Sequence, residues 1–138
     1  MTVDVKAPVI IRVLHWAIAL SFLLSAFLLS PGDLPHRLSG ILGGALVAAR
    51  LVLAFRYRMT YLNPRAVVVY LLIWLSIIGL GVTGWMSQLD AFWGNRLLQQ
   101  SHGIAAYLLM ALVFVHLSGV FLDAWRHRRK TWMKMIRG

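Results

Sequence analysis

The sequence predicts an all-α integral membrane protein, a four-helix bundle with antiparallel up-down topology and both termini on the cytoplasmic side. Three observations carry this. Of 138 residues, 60% are hydrophobic and 13% charged, with a mean hydropathy of +0.76. A soluble chain this short has too little interior to hide so much apolar side chain. The apolar residues gather in four stretches, each near the ~20 residues that cross a hydrocarbon core. These runs are apolar all round rather than alternating, so helices are required and a barrel is excluded. The length predicts a single unit over residues 1–138, without a separate soluble domain.

The first helix is expected at about 8–30, opening with Pro8 and closing at Pro31-Gly32. It is long, lacks a small-x-small cleavage site and contains a histidine, so it reads as a span rather than a cleavable leader. The second is expected at about 35–55, with Asp33 as N-cap and Pro35 in the first turn. The third is expected at about 64–87, with Asn63 capping ahead of Pro64, and the fourth at about 99–125, followed by a basic tail over 126–138. Short connections make successive helices antiparallel neighbours.

Charge sets the orientation. Lys6, Arg12, Arg50, Arg56, Arg58, Arg65 and the six basic residues of the tail all fall on one side, leaving Arg37 and Arg96 on the other. By the positive-inside rule the crowded side is cytoplasmic. The net charge of +10 therefore reflects topology and contact with anionic lipid, and no nucleic-acid role is expected. Trp16, Trp85, Trp93, Trp125 and Trp132 fall near span ends as interfacial residues, and Trp74 lies inside the third span as packing.

Four histidines then sort by depth. His15 lies about 10 Å inside the cytoplasmic edge, and His116 lies about 21 Å along the fourth helix from His102 at 1.5 Å per residue. That pairs His15 with His116 on the cytoplasmic side, and His36 with His102 on the other. Fourteen residues at about 100° each return to within about 40°, so His102 and His116 face the same way. One helix can thus offer an axial ligand to each of two stacked haems b, the partner imidazoles coming from facing helices. The absence of cysteine excludes disulfides, thiolate metal sites and covalent haem attachment. His127, in a run of arginines past the fourth span, is expected to be solvated.

A flat macrocycle needs room. Gly40, Gly43, Gly44, Gly103 and Gly119 could supply it, or could serve helix packing. Arg12 and Arg37 could neutralise propionates, or could be snorkelling and topology-setting charges.

Arg12-Val13-Leu14-His15-Trp16 resembles the R-x-x-H-W opening of the bacterial cytochrome b561 family, whose superfamily includes the b-type cytochrome subunits of nickel–iron hydrogenases. His36-Arg37-Leu38-Ser39-Gly40 is similar to its H-x-x-x-G start of helix two, Arg50 to a later arginine, and Thr83-Gly84 to a T-G of helix three. His102 and His116 match its last helix, and Met135-Ile136-Arg137-Gly138 resembles its basic close. The resemblance implies a multi-pass inner-membrane cytochrome with two non-covalent bis-histidine haems b (protohaem IX), His15, His36, His102 and His116 being the iron ligands. It also implies exchange of electrons between a quinone or quinol pool and a redox partner. A periplasmic cytochrome c, another redox protein and a second copy of the chain stay open as partners. Hydrogenase-type docking is less supported, because the outer loops (31–34 and 88–98) are brief.

No nucleotide or flavin fingerprint and no catalytic residue can be named, so the chain reads as a carrier that borrows its donor and acceptor. Superoxide:quinone oxidoreductase activity stays open as an alternative, although Arg37 and Arg96 are the only cations on the outer face. A haem-free structural subunit or metal permease is a weaker alternative, because the histidines stand at two matched levels without accompanying carboxylates.

Overall fold

A computed structural model describes residues 7–57, 66–128 and 130–137. Among these there is no strand. The chain forms α1 (Val9–Leu23), continued by a π-helical turn (Leu24–Leu28), then α2 (Leu34–Arg56), α3 (Val67–Met86) and α4 (Arg96–His127). Short 3₁₀ turns lie at Asp90–Phe92 and Thr131–Met135. All four helices are long and apolar enough to cross a membrane. The all-α membrane bundle expected from the sequence is therefore present.

The helix ends differ from the sequence-based bounds for local reasons. Asp33 does stand at the N-cap of α2, but its side chain makes no capping bond there, and Pro35 occupies the first turn. The effective cap is at α4, where Asn95 Oδ1 accepts from Leu98 N at 3.0 Å. That bond starts α4 three residues earlier than expected. Gly32 (φ 89°) and Gly94 (φ 73°) supply the left-handed backbone of the turns before α2 and α4, where a side chain would strain. Asn63 and Pro64, expected to open the third helix, lie outside the described residues. His127 belongs to the end of α4 rather than to a tail beyond it, one turn after Asp123. Their side chains meet at 3.2 Å, His127 remaining exposed.

Successive helices pack side by side, α1 on α2, α2 on α3 and α3 on α4. No comparable packing joins α1 to α4, so the bundle has an open seam on that side. Two contacts fix the register. Ser21 Oγ donates to the Ser39 carbonyl oxygen at 2.6 Å, and Ser39 Oγ returns a bond to the Ser21 carbonyl at 3.1 Å. Gly43 allows this, because a Cβ there would stand 3.0 Å from Ser21 Oγ. On the other face of α2, Gly44 and Gly81 bring the α2 and α3 backbones together, a Cβ on Gly81 lying 3.7 Å from Gly44 Cα. Small residues at an interface permit this close approach in lipid. Gly43 and Gly44 are thus packing residues. Val47, Ala54, Trp74, Ile77 and Leu109 form the buried centre.

Arg50 departs from expectation. Although it counts among the cations that set the orientation, it is no surface charge: it is only 4% exposed, held within the bundle with its guanidinium 5.6 Å from the Trp74 ring. A cation over the face of a desolvated indole is stabilised by the ring quadrupole. Trp74 is accordingly buried, as expected, but faces a charge.

Candidate functional site

The four span histidines come together in two pairs. At the end of the bundle carrying both termini, His15 of α1 faces His116 of α4 with ring centroids 6.3 Å apart. At the far end, His36 of α2 faces His102 of α4 at 6.5 Å. Both pairs bridge to α4 from α1 and α2, helices that do not pack extensively against it. His102 and His116 both lie on α4, whose periodicity over fourteen residues presents the two rings on one side.

Several side chains hold these rings. Trp16 stands edge-on to His15 at 5.5 Å, and Tyr70 of α3 stands edge-on to His116 at 5.6 Å. Thr83 Oγ1 lies 2.8 Å from His102 Nδ1. Gly84 leaves space beside the same ring, a Cβ there falling 3.4 Å from His102 Cε1. Tyr70 was not singled out in the sequence; Thr83 and Gly84 appeared there only as a matching dipeptide. Which α3 residues face α4 depends on the packing of α2 against α3.

The geometry can be tested against a haem. Two imidazoles trans on one metal ion, with bonds of about 2 Å and each nitrogen a little over 1 Å from its ring centre, hold their centroids about 6 to 6.5 Å apart. Both pairs have that spacing. Aromatic rings in direct contact share the range, so a second observation is needed, and the surrounding polar atoms provide it. Among the described residues, His36 Nδ1, Arg37 Nε and Ser25 Oγ, and at the other end Arg12 Nε, are buried without a hydrogen-bond partner. Natural interiors rarely leave such atoms unmet. Two arginine donors beside the two histidine pairs suit propionates, which are anionic acceptors. Among the described residues, no three His, Asp or Glu side chains converge. A bare metal ion usually takes at least three protein ligands, whereas a porphyrin supplies four nitrogens and asks for two axial imidazoles. The residues present fit the macrocycle.

Room exists as well. A Cβ at Gly40, Gly103 or Gly119 would meet nothing within 4 Å. Gly40 therefore stays open beside the far-end pair, unlike the packed Gly43 and Gly44.

The end bearing both termini is strapped. Arg12 Nη1 donates to the Ile136 carbonyl oxygen at 3.0 Å, and Trp16 Nε1 donates to that of Met135 at 2.8 Å. The Thr131–Met135 turn also packs against α4. The C-terminal segment thus crosses between α4 and α1 close to His15 and His116, where the seam between those helices is open. Arg12 therefore divides its donors, with one nitrogen on the strap and Nε unpartnered.

The family model described as prokaryotic cytochrome b561 matches residues 6–138. No curated protein and no solved structure matches the chain. A match over nearly the whole chain, with four spanning helices, makes this a bacterial membrane b-type cytochrome serving electron transfer. The chain belongs to the prokaryotic cytochrome b561 family.

Proposed function

We propose that the chain holds two haems b, one between His15 and His116 and one between His36 and His102, and carries electrons across the inner membrane between a quinone or quinol pool and a redox partner. The observation that supports this best is the repetition of one imidazole spacing, 6.3 and 6.5 Å, at two levels of the bundle. Haem b, when bound with both axial positions filled, supplies a one-electron couple suited to transfer rather than oxygen binding.

The chain's own groups then have defined tasks. The four imidazoles hold and orient, Arg12 and Arg37 neutralise propionate charge, and Gly40 admits the flat ring to the α2 backbone. A separation of about 21 Å between His102 and His116 along α4 supports two sites toward opposite faces of a ~30 Å core. The excess of basic residues at the end bearing both termini supports a cytoplasmic location for that end, with His36 and His102 periplasmic. The lipid setting favours a quinone as one redox partner. A periplasmic cytochrome c, another redox protein or a second copy of the chain could complete the path.

The test is transmembrane transfer in sealed vesicles. Protein reconstituted with ferricyanide trapped inside should oxidise an impermeant reductant added outside, faster than protein-free vesicles. Rates equal to those of empty vesicles would refute the wire. Separately, dithionite-reduced protein should be reoxidised by a quinone analogue; no response to any analogue would remove the quinone from the reading.

A further inference from the structure

Thr83 lies three residues before the end of α3. Its Oγ1 is 2.8 Å from the Gly79 carbonyl oxygen and 2.8 Å from His102 Nδ1. A hydroxyl has a single proton to donate. The Gly79 carbonyl can only accept, so the proton goes there, a back-bond that threonine makes to the preceding helical turn. The weaker alternative acceptor, the Leu80 carbonyl at 3.3 Å, leads to the same assignment. With its proton so committed, Oγ1 meets His102 as an acceptor, and Nδ1 must carry the imidazole hydrogen. Nε2 is left with the lone pair that a metal needs.

The opposite ring has no such support among the described residues. His36 Nδ1 is buried there without a partner, so none of them selects its tautomer. Gly84 adds to the asymmetry by letting the His102 ring edge approach α3, where a Cβ would stand 3.4 Å from Cε1.

We propose that Thr83 is the positioning residue of the far-end site, fixing His102 as the Nδ1–H tautomer and presenting Nε2 to the haem iron. This rests on the two-haem reading. An acceptor on the distal nitrogen also raises the basicity of a ligating imidazole. It therefore favours ferric iron, so the far-end haem has a lower potential than it would without Thr83.

The experiment compares wild type, Thr83→Val and Thr83→Ser as purified holoproteins, by haem stoichiometry, redox titration and low-temperature EPR. Val keeps the shape and removes the acceptor; Ser keeps the acceptor. In Thr83→Val, one of the two haems should bind about 10- to 100-fold more weakly, the usual effect of losing such a support. The haem that remains bound at that site should titrate at a higher potential with a shifted EPR signal, while the other haem is unchanged. Thr83→Ser should restore wild-type values. Two haems in wild type with Thr83→Val indistinguishable from it would overturn this inference alone. So would a Thr83→Ser variant as impaired as Thr83→Val, since the hydroxyl would then not be the cause. A wild-type protein without haem would overturn both this inference and the reading beneath it.

Discussion

Gly43→Ala isolates the contact that sets α1 against α2. The new methyl would stand 3.0 Å from Ser21 Oγ and 3.7 Å from Ser21 Cβ. Ser21 is nearly buried, and its hydroxyl is held by a 2.6 Å bond to the Ser39 carbonyl, so it can yield only by turning away from that acceptor. An interhelical hydrogen bond in a membrane protein is worth about 0.6 to 1.7 kcal/mol. The substitution also carries an opposing gain, because alanine favours helix by up to about 1 kcal/mol over glycine. The single variant therefore mixes two effects of similar size, and a double-mutant cycle with Ser21→Ala separates them. The helix gain cancels in the cycle, leaving a coupling of about 0.6 to 1.7 kcal/mol. Gly43→Ala should be neutral to destabilising in wild type, and neutral to stabilising once Ser21 is alanine. Reversible unfolding in mixed detergent micelles, followed by far-ultraviolet circular dichroism, measures all four corners. A coupling below about 0.3 kcal/mol, the range of independent sites, would refute the argument that Gly43 is small to make room for the Ser21–Ser39 exchange.

Other perturbations probe the site itself. Replacing buried Arg50 by Met should lower the potential of the haem at His15 and His116, because its guanidinium stands over Trp74, one turn along α3 from the Tyr70 that meets His116. At a separation of order 10 Å and an effective dielectric near 20, the expected effect is about 1 to 2 kcal/mol. Redox titration reads it, and an unchanged potential with both haems present would remove Arg50 from that site's electrostatics. Deleting residues 131–138 removes the bonds from Arg12 and Trp16 to the strap. It should speed haem loss from the His15–His116 pair while sparing the other, measured by transfer to apomyoglobin; equal loss from both sites would count against the strap.

Much of the fold was legible because lipid simplifies the code. A run of about twenty apolar residues in a bilayer has to be a helix, and a span's depth follows from counting residues. The pairing of His15 with His116, and of His36 with His102, came from the same counting and needed no knowledge of which helices touch. What stayed hidden depended on helix rotation. Arg50 looked like a topology-setting cation near a span end. Its burial follows from the face of α2 that turns inward once Gly44 meets Gly81. Thr83 and Tyr70 carry no periodicity of their own; they matter because α3 turns them toward α4. The start of α4 is hidden in the sequence because the polar residues Arg96, Gln99 and Gln100 disguise its first turn, and the bond from Leu98 N to Asn95 appears only once the backbone is folded. The π-helical turn at Leu24–Leu28 has no sequence signal that we can identify.

The most direct test of the central claim is haem stoichiometry, by pyridine haemochrome on detergent-purified protein expressed with ample haem, for wild type, His102→Ala and His116→Ala. The account predicts two haems b per chain in wild type and one in each variant. The two variants should retain different haems, distinguishable by α-band position or potential. A wild type with no haem, or variants that both keep two, would contradict the assignment of one histidine pair to each haem.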